Sequence, residues 1–195
     1  MHKMSYLDTS VSNLYAGESI VQRIPPMPVY SLVLAEKLMG RFDKIWDPMP
    51  GKFDVVGALR DIQAAEEIVA FDHLDFDQVH LPPAPAAISA PDPRKVQDLA
   101  LHCLNSGIEY LAIFGRATQL AGLRRYHNLF SKHPPNRVYI NCQAWAQNRQ
   151  NRGGSDGAWN PATWMVWASD IPGSPAIENS PRAPEMHWIS EKHNA

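Results

Sequence analysis

Residues 110–140 read YLAIFGRATQLAGLRRYHNLFSKHPPNRVYI, and residues 163–168 read TWMVWA. Tyr110–Phe114 is an unbroken apolar run, the pattern of a strand covered on both faces. Leu120, Leu123, His127 and Phe130 then recur at helical spacing, so the sequence predicts a helix over Gln119–Phe130 that Pro134-Pro135 ends. Arg137–Ile140 and Thr163–Ala168 read as strands. Only a polar Asn/Gln/Arg/Gly loop (141–160) separates them, so they fit an antiparallel pair at the end of a sheet. Strand, helix and strand in alternation give an α/β fold with a largely parallel sheet.

The rest of the chain extends this alternation. Val29–Met39 has helical spacing at Val29, Leu32, Val33 and Met39, with Gly40 placed as its C-cap. Lys44–Trp46 is a short strand running into Asp47-Pro48-Met49-Pro50-Gly51, and 54–60 reads as a short helix. Glu67–Phe71 is a second strand ending at Asp72, and Ala86–Ser89 a third, stopped by Pro91 and Pro93. Lys95–Ser106 reads as a helix with Val96, Leu99, Ala100 and Cys103 on one face and Gly107 beyond its end. Three parts follow: an N-terminal arm (1–24), one α/β domain (25–170) and a proline-rich extended tail (171–195), in which Trp188 is a candidate anchor.

Composition bounds the function. The chain has 195 residues, 45% apolar and 19% charged, which suits one domain with a core and excludes a disordered chain. No apolar run approaches the roughly 18–20 residues of a membrane span, and no apolar segment follows the start as a signal peptide requires. Two cysteines, Cys103 and Cys142, make neither a disulfide framework nor a zinc site, which points to a reducing, cytoplasmic compartment. Seventeen prolines against eleven glycines leave few residues for loops that approach a phosphate or cofactor closely.

The net charge of −2 hides a segregation. Residues 110–155 hold seven cations and no acid: Arg116, Arg124, Arg125, Lys132, Arg137, Arg149 and Arg152. Such a segment suits an anionic partner, nucleic acid foremost, or else forms a solvated face. Five of the six tryptophans lie between 145 and 188. Trp164 and Trp167 belong to the apolar strand, whereas Trp145 and Trp159 sit in loop-like sequence. Asp72-His73-Leu74-Asp75-Phe76-Asp77 with His80 lacks the spacing of a metal cage and reads as a solvated loop, so no metal is expected.

The order of elements, and the RY, LF, HPPNRVY and TWMVW stretches within 110–168, resemble class I S-adenosylmethionine-dependent methyltransferases. The nearest pattern is that of small phage-type DNA adenine-N6 methyltransferases. The resemblance implies a Rossmann-like sheet, mostly parallel, with a final antiparallel strand pair. It implies a phage or prophage origin and the host cytoplasm. It also implies cofactor-binding roles for Asp47 and Gly51 in a loop after the first strand, and for Asp72 on the cofactor ribose. The chain departs from the pattern twice. Phe53 stands where a second small residue belongs. Ala90-Pro91-Asp92-Pro93 stands where the family carries Asn or Asp, two prolines and a base-stacking aromatic. Asp92, by a shift of register, is the sole candidate for the catalytic acceptor.

Three functions are compatible with these features. The first is a catalytically degenerate, methyltransferase-like protein that binds DNA through 110–155, or a protein partner. The second is an active adenine-N6 methyltransferase using S-adenosylmethionine and Asp92. The third is a phage protein-binding module, such as a host-defence inhibitor or virion component, acting through the Trp/Pro-rich C-terminus.

Overall fold

The computed structural model describes residues 27–51, 53–70, 82–141, 162–168 and 184–189. The expected N-terminal arm, Asp72 and its acidic loop, Cys142, Trp145, Arg149, Arg152 and Trp159 lie outside these residues.

Seven strands form one sheet: β1 Lys44–Asp47, β2 Glu67–Ala70, β3 Ala86–Ser89, β4 Tyr110–Arg116, β5 Arg137–Asn141, β6 Ala162–Ala168 and β7 Glu185–Ile189. Their spatial order is β2-β1-β3-β4-β6-β5-β7. β1 runs parallel to both β2 and β3, and β3 parallel to β4. β6 inserts antiparallel between β4 and β5. This is the expected Rossmann-like sheet, mostly parallel, with its antiparallel pair.

Side-chain alternation explains the unbroken apolar runs. Tyr110, Ala112 and Phe114 of β4 face one core with Ile45, Trp164 and Val166. Leu111 and Ile113 face the other with Trp46, Met165 and Trp167. Helices α1 (Met27–Glu36) and α2 (Val55–Asp61) cover the first face, through Val29, Leu32, Val33 and Leu59. Helix α3 (Val96–Asn105) covers the second, through Val96, Leu99, Ala100 and Cys103. With helices on both faces, consecutive residues of β3, β6 and the first part of β4 are all buried and the period-two signal disappears.

Four local expectations change. Helix α1 stops at Glu36 because Lys37 turns left-handed, with φ 53°. The Leu38 N–H then donates to the Val33 carbonyl at 3.0 Å, closing a Schellman-type end that buries Leu38 and leaves Met39 exposed. The expected helix over Gln119–Phe130 is broken. A 3-10 turn (Ala117–Leu120) ends at Ala121, and Gly122, with φ 112°, re-aims the chain. A helical turn (Leu123–Arg125) then widens into a π-type turn (Tyr126–Phe130). The β5–β6 pair is not the end of the sheet, because β7 pairs parallel with β5 at its far edge. The expected tail thus supplies a strand. No helix among the described residues is long and apolar enough to cross a membrane.

Candidate functional site

Ligands of open α/β sheets bind outside the carboxyl ends of the strands, where the strand order reverses. Here that point lies between β1 and β3. Asp47 ends β1 there and is fully buried. Its Oδ1 accepts the Met49 N–H at 3.1 Å, and its Oδ2 has no hydrogen-bond partner. Burial pushes its carboxyl up to about 6, against the lowering by Ser89 and the Met49 N–H and with a small rise from Asp54. A buried acid with one unpartnered oxygen is costly as a carboxylate, which is why burial raises its pKa.

The loop after Asp47 closes over β3. The Ser89 hydroxyl donates to the Met49 carbonyl at 3.3 Å. A Cβ on Gly51 would lie 2.8 Å from the Ala90 carbonyl oxygen. Gly51 therefore serves the close approach of two backbone segments. Asp54 then caps α2 by accepting the Gly57 N–H at 2.8 Å. Phe53 is half-buried and meets Phe114 edge-on, ring centroids 5.2 Å apart, on the side covered by α1 and α2. It anchors the loop in the core at the position where the resemblance implies a small residue.

The turn after β3 follows the expected break at Pro91 and Pro93. Ala90 is buried in the core under α1 and α2. Asp92 is held as a local brace. Its Oδ1 accepts the Arg94 N–H at 2.9 Å and Nε at 3.0 Å, and its Oδ2 accepts Arg94 Nη2 at 3.0 Å. The Asp92 carbonyl accepts the Lys95 N–H at the start of α3. These bonds give Asp92 a structural task at the candidate catalytic position.

Sequence reasoning missed the residue that ties this turn to β4. Gln119 is buried and donates Nε2 to the Pro93 carbonyl at 3.1 Å. Its Oε1 sits 1.7 Å from where a Cβ of Gly115 would be. A side chain at position 115 would have to displace the Gln119 amide, and a glycine inside a strand is the one signal that could have flagged the contact.

Five of the seven cations lie among the described residues, and they separate into distinct roles. Arg116, Arg124 and Lys132 are exposed, and none pairs with an acid among the described residues. Arg125 turns back, donating Nη1 to the Gln119 carbonyl at 2.6 Å and the Ala121 carbonyl at 3.3 Å. Arg137 is not available to a phosphate. Its Nε and Nη2 reach the Glu36 carboxylate at 2.6 Å and 2.5 Å, and its side chain is only 15% exposed. Both are therefore removed from the candidate nucleic-acid contacts. Among the described residues no group of histidine, cysteine and acid side chains could hold a metal ion. Cys103 is buried, and burial pushes its thiol up to about 12, which suits a core residue.

No family profile matches the chain, and no curated protein matches it. Among solved structures, it is similar to a Listeria monocytogenes protein provisionally described as a class I S-adenosylmethionine-dependent methyltransferase. The TM-score is 0.49 at 9% identity, over 92% of this chain and 69% of that one.

Proposed function

We propose that this chain is a nucleic-acid-binding protein on a methyltransferase-type fold that does not methylate adenine. The turn after β3 carries the reading. Ala90 points into the core, Asp92 is engaged by Arg94, and no aromatic follows. The one side-chain acceptor of the turn, the Asp92 carboxylate, is thus shared with Arg94 rather than presented alone to an adenine amino group. S-adenosylmethionine fits the site only in part. Asp47 Oδ2 has no partner but is buried, so an ammonium group reaches it only if the loop after β1 moves, and the space beside Gly51 is taken up by the Ala90 carbonyl. The exposed Arg116, Arg124 and Lys132 supply the phosphate contacts.

The test is fluorescence anisotropy with labelled DNA across a salt series, beside methyl transfer from labelled S-adenosylmethionine. Affinity should fall steeply with salt, at a slope of about one per phosphate contact, and no methyl group should be incorporated. Salt-independent or absent DNA binding would overturn the nucleic-acid part. Incorporation that Asp92→Ala abolishes would establish the second reading, an active adenine-N6 methyltransferase. Calorimetry of S-adenosylmethionine against the wild type and Asp47→Asn separates the two.

A further inference from the structure

Leu123 and Tyr126 are large apolar side chains left in solvent, 74% and 55% exposed. They lie three residues apart across one helical turn and so share a face. Their backbone is fixed from three directions. Leu129 is buried in the core under α3. Arg125, between them in sequence, is bonded to the Gln119 and Ala121 carbonyls. Gln119 in turn holds the Pro93 carbonyl, so this end of the helix is tied to the carboxyl edge of the sheet. The helix widens here, the Ser131 N–H reaching the Tyr126 carbonyl at 2.8 Å, and π-type turns of this kind recur at functional sites. The Tyr126 ring meets the His127 ring at 67° and 5.4 Å. The exposed Arg124 lies between the pair in sequence, and the exposed Arg116 and Lys132 flank it in sequence, in a stretch (110–141) without a single acid.

An apolar and aromatic platform flanked in sequence by cations matches a chemistry with a flat π-face and a phosphate beside it. A closed duplex hides its base faces, and an acidic protein surface offers none. We propose that Leu123 and Tyr126 form a stacking platform for an unpaired base, so that the chain prefers single-stranded nucleic acid to closed duplex. The proposal rests on the nucleic-acid reading above and adds the form of the ligand and the residues that select it.

The test measures anisotropy of the full chain with a labelled thymidine oligomer of about 20 nucleotides and with a hairpin duplex of the same length. The wild type should prefer the single strand. Tyr126→Ala should weaken single-strand binding roughly 5- to 100-fold, the range of one lost base–aromatic stack, with an unchanged salt slope. Tyr126→Phe should restore it. Arg124→Ala should lower the salt slope on both ligands by about one. Equal affinity for both nucleic acids, or single-strand binding indifferent to Tyr126→Ala, would overturn the platform while leaving salt-dependent DNA binding intact. Loss of salt-dependent binding to both ligands in the wild type would overturn the nucleic-acid reading itself.

Discussion

Two buried carboxylates lie at different places in this fold, and they are solved differently. Glu36, at the end of α1, is almost wholly buried, yet both of its oxygens are engaged. Arg137 grips it in fork geometry, and the Tyr139 hydroxyl donates to Oε1. The surroundings are adapted as well. Burial and then Glu36 push the Tyr139 phenol up, so it stays a donor. The Tyr139 ring stacks on His187 of β7, 5.0 Å away, which ties the last strand to the same cluster. Asp47, at the carboxyl end of β1, is equally buried but leaves one oxygen open. A satisfied buried charge is architecture, whereas the unsatisfied Asp47 carboxylate is kept at a cost that protonation relieves.

The largest expected effect breaks the satisfied side of this comparison. Glu36→Ala leaves the Arg137 guanidinium in a half-buried site without its counter-charge. Breaking such a pair by removing one partner costs about 3–5 kcal/mol. Chemical denaturation should therefore show a loss of that size, with Arg137→Ala similar. A loss below about 1 kcal/mol would match a solvent-screened pair and restore Arg137 as a candidate phosphate contact.

The next effect belongs to Asp47. Its folded carboxyl is raised from 3.8 to about 6, so the fold prefers the protonated form. The stability this preference gives is full below pH 4 and is lost as pH rises through about 6. Between pH 4 and pH 7 the wild type should lose about 2 kcal/mol relative to Asp47→Asn, which carries no titrating group there. Denaturation of both proteins at the two pH values reads this difference directly. An equal gap at both would mean that Asp47 is not held in the high-cost state.

The same contrast marks how far the sequence could be read. Strands β1, β3, β4 and β6 were legible because burial on both faces writes them as apolar runs. β7 was not, since Glu185 and Met186 are exposed and an edge strand needs no apolar pattern. The helix over Gln119–Phe130 was misread because Leu120 and Leu123 keep helical spacing across Gly122, whose positive φ carries no periodic signature. Asp47 is singled out only by the resemblance of Ile45-Trp46-Asp47-Pro48 to a cofactor loop, and its burial has no signature in the sequence. The fate of Arg137 was not legible, because its partner is 101 residues away and charge counting is blind to pairing at that distance. Gln119 escaped for the same reason, its contact with Pro93 spanning 26 residues.

The smallest effect concerns the loop that covers the open oxygen. Gly51 has no left-handed φ, so an alanine there meets no backbone strain of its own. What it meets is the Ala90 carbonyl oxygen, 2.8 Å from the new methyl group, and a backbone carbonyl at the end of a buried strand cannot swing aside as a side chain would. Either the loop or the end of β3 must shift, at about 1–3 kcal/mol for an overpacked site. Lifting the loop also stretches the Ser89–Met49 bond and the Met49–Asp47 bond, the second of which holds the closed oxygen of Asp47. Gly51→Ala should therefore lower stability by that amount and also change the pH dependence set by Asp47. A proportionate loss at every pH would make the glycine a packing device alone. A loss that grows or shrinks between pH 4 and pH 7 would tie the loop to the unsatisfied acid beneath it.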